Sequence, residues 1–126
     1  MAIDMRLWHG SWALSSLVFV AGAAAPAPHG DAARGKALYQ SCTSCHSIDE
    51  NDIGPKHRGV VGRKAGTVPD YAYSAALKAA GITWDQDSLD RWLTNPSAMV
   101  PGTKMFFVLP DPQARADVIA YLAELK

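Results

Sequence analysis

The chain holds only two cysteines, and they fall in the run Cys42-Thr43-Ser44-Cys45-His46. On a helical turn, positions i, i+3 and i+4 share one face, so both thiols and the imidazole point to the same side. That face suits a haem: the sulfurs can form thioethers with two vinyl groups along one edge, and the imidazole can reach the iron as an axial ligand. A chain built this way has to fold around a flat plate. Other uses of these residues fit less well. Zinc would need a second ligand pair with its own short spacing, which His57 alone does not supply. A dithiol redox pair normally follows a strand, and nothing before Cys42 reads as one. A structural disulfide leaves the adjacent histidine unexplained.

An iron held by one histidine has a second face to close. Downstream lies Met99-Val100-Pro101-Gly102-Thr103-Lys104-Met105. Pro101-Gly102 is a turn pair, and a loop can lay a thioether across a porphyrin where a helix cannot. Met105 and Met99 are both candidates by position.

Length and charge bound the rest. Of 126 residues, the first two dozen or so read as removable, leaving about 100 for one small domain. A domain of that size has a thin core, so a bound haem would be part of the fold. Lys plus Arg is 12 and Asp plus Glu is 12, a balance that gives no case for nucleic acid or a membrane surface from bulk charge. Residues 1–24 read as an export signal, with Arg6, an apolar run over 12–21, and then Gly22-Ala23-Ala24-Ala25. Pro26 disfavours cleavage after Ala25 and points to the bonds after Ala23 or Ala24. Ser15 and Ser16 interrupt the run, which falls short of the ~20 apolar residues of a spanning helix. An uncleaved anchor is the alternative. The absence of an Arg-Arg pair favours export of the unfolded chain. Residues 25–30 then serve as a linker to a domain over 31–126.

Within that domain the pattern is helical. Asp31 is a good N-cap for a helix over 32–40 that delivers the pentad. A second helix spans 74–80 and stops at Gly81, and a third spans 86–94 between Asp85 and Pro96. Asp111-Pro112 opens a last helix to the C-terminus, with Val118, Ile119, Tyr121, Leu122 and Leu125 as its apolar stripe. No stretch reads as a strand. Residues 53–70, rich in glycine and proline, form a long loop, and such a loop inside a small domain usually wraps something.

Taken together, these residues resemble the class I c-type cytochromes, closest to the mitochondrial-like and bacterial subgroup. The resemblance rests on Gly35 and Tyr39, the pentad, Gly54-Pro55, Gly62-Arg63-Lys64-Ala65-Gly66, Tyr71-Ala72-Tyr73, Gly81-Ile82-Thr83-Trp84, Asn95-Pro96, Pro101 to Met105 and Ala120-Tyr121-Leu122. It implies an all-α cytochrome c fold of about four to five short helices around one covalent haem c. It further implies thioethers at Cys42 and Cys45 and iron ligation by His46 and Met105, with Met99 left to packing. Pro55 should hold the far nitrogen of His46 through its carbonyl. Arg63, Tyr73 and Trp84 should surround the haem propionates, and Thr103 should stand beside the methionine loop. Gly35 and Tyr39 should meet Val118 and Tyr121 where the terminal helices cross. Two positions depart from the mitochondrial pattern: Leu77 stands where those proteins have asparagine, and Trp92 where they have tyrosine. Both touch the hydrogen-bond network of the methionine sulfur.

The function so implied is a monomeric, periplasmic one-electron carrier and not an enzyme. Its partners would be transient protein donors and acceptors, such as a cytochrome bc1-type complex and a terminal oxidase or reductase, with no nucleic acid and with membranes met only through those complexes. An enzyme with an open iron face and a membrane-fixed haem subunit are the competing classes.

Overall fold

A computed structural model describes residues 22–126. The leader expected over 1–24 therefore lies, but for its last residues, outside the described part. Among the described residues there are five α-helices and one 3-10 turn, with no strand and a single isolated antiparallel bridge between Lys64 and Thr83. No helix here is long and apolar enough to cross a membrane.

Each helix starts where a side chain accepts the first orphan N–H groups. Helix α1 (Ala32–Leu38) is capped by the Asp31 carboxylate, and tightens into a 3-10 turn at Tyr39–Cys42. The sequence suggested one uniform helix here. The tighter i→i+3 pattern lets the chain run straight into the pentad, where His46 N–H bonds the Cys42 carbonyl at 2.9 Å. Helix α2 (Ala75–Ala79) starts at Ser74, and α3 (Gln86–Thr94) carries a capping box between Asp85 and Ser88. Asn95 closes α3 and at once caps α4 (Pro96–Met99), a single turn that the sequence pattern did not reveal. Helix α5 (Pro112–Glu124) opens at Asp111 with proline in its first turn.

The core is built on the crossing of α1 and α5. At Gly35 a Cβ would collide with the Asp117 carbonyl and with the Tyr121 Cβ, so only glycine lets the two backbones approach. One turn on, the Tyr39 ring meets Tyr121 edge to face, with centroids 5.3 Å apart. Val118, Ile119 and Leu122 of α5 then join Leu89, Trp92 and Leu93 of α3, together with Leu77 and Trp84, in one apolar cluster. Polar ties fix the same crossing. The buried Asp117 carboxylate accepts from the Asp31 N–H at 2.7 Å, from the Arg34 guanidinium at 3.0 Å and from Gln113 at 2.9 Å. Gln113 also bonds the His29 carbonyl at 2.8 Å, so the chain is held to α5 before α1 begins.

Those donors hold the Asp117 carboxyl at about 2, against an ordinary 3.8, with the Arg34 hydrogen bond the leading cause. Its folded value lies below its unfolded one. The stabilisation is therefore complete above pH 3.8 and is lost as pH falls toward about 2. Asp117→Asn should lower the denaturant midpoint at pH 7 and flatten the fall in stability across that acid window. Unfolding curves for both proteins at several pH values provide the check.

The loop over 43–74 has little regular structure and folds back on the pentad. Gly54 N–H bonds the Cys45 carbonyl at 2.6 Å, Arg58 N–H bonds Ile48 at 2.8 Å, and Gly59 N–H bonds Leu125 at 2.6 Å. These bonds tie the loop to the pentad segment and to the end of α5.

Candidate functional site

His46 is held from behind and from below. Its Nδ1 lies 2.7 Å from the Pro55 carbonyl oxygen, which requires Nδ1 to be the protonated nitrogen and leaves Nε2 as a lone-pair donor. Gly54 passes directly under the ring, and a Cβ there would overlap the imidazole. His57 stacks on the ring with centroids 4.0 Å apart and planes 19° from parallel. Burial pushes the basicity of both imidazoles down, that of His57 to about 3, so both are neutral at pH 7. His57 Nδ1 sits 2.9 Å from the Tyr39 hydroxyl, whose own ionisation burial pushes up to about 12.

On the pentad's thiol side, Cys42 is half-buried, Cys45 is exposed, and neither is in a disulfide. Burial raises the Cys42 thiol above its ordinary value.

The methionine arm is built from α3 and the loop after α4. Thr103 N–H bonds the Val100 carbonyl at 3.1 Å across Pro101-Gly102, with Gly102 at φ 92°, the pattern of a type II turn. Beyond that turn the Trp92 indole N–H donates to the Met105 sulfur at 3.2 Å. The loop is pinned at three further points. Lys104 reaches the Ala72 carbonyl at 2.8 Å, Leu109 N–H bonds the Leu93 carbonyl at 2.8 Å, and the buried Arg115 holds the Leu109 and Pro110 carbonyls at 2.9 Å and Asp90 at 2.7 Å. Thr103 is buried beside Met105, with its hydroxyl 3.5 Å from the Met105 N–H. Met99 instead lines a shallow cleft with Ala76, Ala79 and Ile82.

A continuous run of contacts joins the two arms. Arg63 donates to the Lys56 carbonyl at 2.8 Å and to the Arg58 carbonyl at 3.1 Å. Its backbone carbonyl accepts from Trp84 N–H at 2.9 Å, and the Trp84 ring lies 5.2 Å from Trp92. Arg63 thus sits between the histidine and methionine sides with guanidinium N–H groups to spare, while burial lowers its basicity. Tyr73 is near enough to offset part of that effect, and its hydroxyl accepts the Val68 N–H at 3.1 Å. The Trp84 ring is buried.

Two features were not readable as site residues. Trp92 showed only as a departure from tyrosine, although its place beside Leu89 on the apolar face of α3 marks it as inward-facing. His57 lies in an aperiodic loop, where the sequence offers it only as a lone zinc ligand; its nearness to Pro55 is the one signal that could have placed it beside His46. Leu77, the other departure, is simply buried in the core.

The donor set suits one chemistry. An imidazole with a directed lone pair, a soft thioether and two free thiols are the groups that iron and the vinyl edge of a haem require. The sequence profile of the cytochrome c family matches residues 32–126. The chain belongs to the cytochrome c family. It carries one covalent haem c and passes single electrons. A cytochrome c2 of Rhodomicrobium vannielii is 49% identical over 98 residues, covering 75% of this chain and 78% of that protein. A cytochrome c of Euglena viridis is 50% identical over 101 residues, covering 77% and 99%. Among solved structures, cytochrome cH from Methylobacterium extorquens superposes with a TM-score of 0.73 at 49% identity, over 75% of this chain and 98% of that one. Ferricytochrome c2 from Rhodopseudomonas palustris gives 0.72 at 40% identity, over 76% and 99%.

Proposed function

We propose that this cytochrome c is an exported, periplasmic carrier, not an enzyme, in which Cys42 and Cys45 hold the haem and His46 and Met105 close both faces of its iron. The observation that supports the reading is the Trp92 N–H on the Met105 sulfur, which fixes that thioether by a hydrogen bond as the Pro55 carbonyl fixes His46. The bound haem supplies a one-electron ferric/ferrous couple. The soft sulfur would favour the ferrous form, and an apolar surrounding built on the cluster of Leu77, Trp84 and Trp92 would disfavour the added charge of the ferric form, so both would raise the potential. Pro55 keeps His46 in one tautomer through the cycle. Ligand side chains anchored this way need not move when the electron does. Arg63, Tyr73 and Trp84 are assigned to the propionate side, where spare guanidinium donors lower the cost of burying charge.

Protein partners dock transiently on a monomer. Phe106, Phe107 and Val108 are exposed directly beyond Met105 and offer an apolar patch next to the ligand loop. The balanced charge of the chain leaves little for long-range steering. A bc1-type complex and a terminal oxidase or reductase are the partner types this reading assigns.

One preparation tests attachment and export together. The haem protein should be released by osmotic shock, begin at Ala24 or Ala25, keep its colour through acid-acetone extraction and weigh one haem more than its chain. Haem lost to the solvent would overturn the thioether assignment. Haem found only in the membrane pellet, on a chain retaining Trp8 and Trp12, would identify an anchored subunit instead.

A further inference from the structure

We infer that His57 is a positioning residue for the axial imidazole: its ring, anchored by Tyr39, sets the plane in which His46 meets the iron. The inference rests on His46 being the ligand.

Three contacts carry it. The His57 ring lies flat on the His46 ring, 4.0 Å between centroids and 19° between planes. Its Nδ1 is tied to the Tyr39 hydroxyl at 2.9 Å, and its backbone N–H is tied to the carbonyl of Ser47, the residue after His46, at 3.1 Å. Tyr39 in turn is buried and packed edge to face on Tyr121 of α5. The ring that touches His46 is therefore referenced to the α1–α5 crossing, which Gly35 and the Asp117 carboxylate hold close.

The Pro55 carbonyl fixes one atom of His46. A single hydrogen bond has a broad angular well, and a ligated imidazole can still rock about its bond to the metal. A flat partner against the ring face opposes that rocking directly, which the Pro55 bond alone does not. An aliphatic side chain would fill the same space without defining a plane. The hydrogen bond between Tyr39 and His57 also removes the rotational freedom of His57 itself, so the stack has one orientation.

The orientation of the axial imidazole, together with that of the thioether, sets how unpaired spin is shared among the haem methyl groups of the ferric state, and the variants below leave Met105 and its Trp92 contact untouched. Paramagnetic proton NMR of the intact ferric haem protein therefore reads the ring plane, which ordinary packing would not move. His57→Leu should reorder or respace the haem-methyl resonances. His57→Phe keeps a flat ring but loses the Tyr39 hydrogen bond, so it should shift the pattern about as little as Tyr39→Phe and clearly less than His57→Leu. Tyr39→Phe, which removes only the hydroxyl, should shift the pattern in the same direction as His57→Leu by a smaller amount. Unchanged spectra for folded His57→Leu and Tyr39→Phe would overturn the proposal, as would a His57→Phe spectrum displaced as far as that of His57→Leu. If His57→Leu does not fold, Tyr39→Phe decides: a shifted pattern supports the stack and an unmoved one refutes it. Failure of the ligand assignment is distinguishable, because the unmodified protein would then lack the strongly shifted ring protons of a bound histidine.

Discussion

Met105→Ala should leave the haem attached and open one face of its iron. On the proposed reading the thioether bonds are made by Cys42 and Cys45 in the pentad and not by the methionine loop, so haem content and mass should not change. What disappears is the sulfur. The absorption band at the red edge of the ferric spectrum, which reports sulfur on iron, should vanish entirely, and the reduction potential should fall, because a soft thioether favours ferrous iron and water does not. Carbon monoxide should pass from no detectable binding to stoichiometric binding, and peroxide should begin to react. Met99→Ala should do none of this, since Met99 lines a cleft with Ala76, Ala79 and Ile82. Trp92→Phe is the graded case. It keeps the aromatic filler but removes the N–H that points at the sulfur at 3.2 Å, and a hydrogen bond of this kind contributes about 1 kcal/mol. The band should persist and weaken at a lower pH or temperature than in the unmodified protein. Carbon monoxide binding to the unmodified protein at neutral pH, or loss of the band in Met99→Ala alone, would sink the ligand assignment.

The parts of this site that the sequence displays are those whose chemistry is local. Cys42, Cys45 and His46 are adjacent, so helical spacing alone brings them to one face. Asp31, Ser74, Asp85 and Asp111 announce helix starts because an N-cap acts within three residues of itself. Met105 is different: nothing local distinguishes it from Met99, and only its likeness to a family pattern did. Helix α4 escaped notice because it is one turn long and its cap, Asn95, is also the end of α3. The 3-10 turn at Tyr39–Cys42 escaped because α and 3-10 geometry share the same residue preferences over so short a stretch. Trp92 and His57 were the hardest. Each acts on a residue at least eleven positions away in sequence, Met105 and His46 respectively, through a contact that exists only once the loop has folded back.

That dependence of the site on long-range closure makes Gly35 a position where the fold itself is exposed to a single change. Gly35→Val should cost about 3 kcal/mol or more, at the upper end of what overpacking a core does. The reason is specific: the first added carbon would sit inside van der Waals contact of the Asp117 carbonyl, which is backbone and cannot rotate away. The helices would have to separate. Separation would pull Tyr39 off Tyr121 and draw the Asp31 N–H and Arg34 away from Asp117, so the loss would exceed the local clash. Against a total stability of about 5–15 kcal/mol for a small domain, the variant should unfold at a much lower denaturant concentration. Gly35→Ala should show a smaller loss in the same direction, since it adds the clashing carbon without the branch. The readout is the denaturant midpoint of the haem-bearing protein, followed by far-ultraviolet circular dichroism and, separately, by the sulfur-to-iron band. Because α5 also anchors the stack behind His46 through Tyr39, the band and the helix signal should be lost together. A Gly35→Val protein as stable as the unmodified one would mean that α1 and α5 do not cross at this residue.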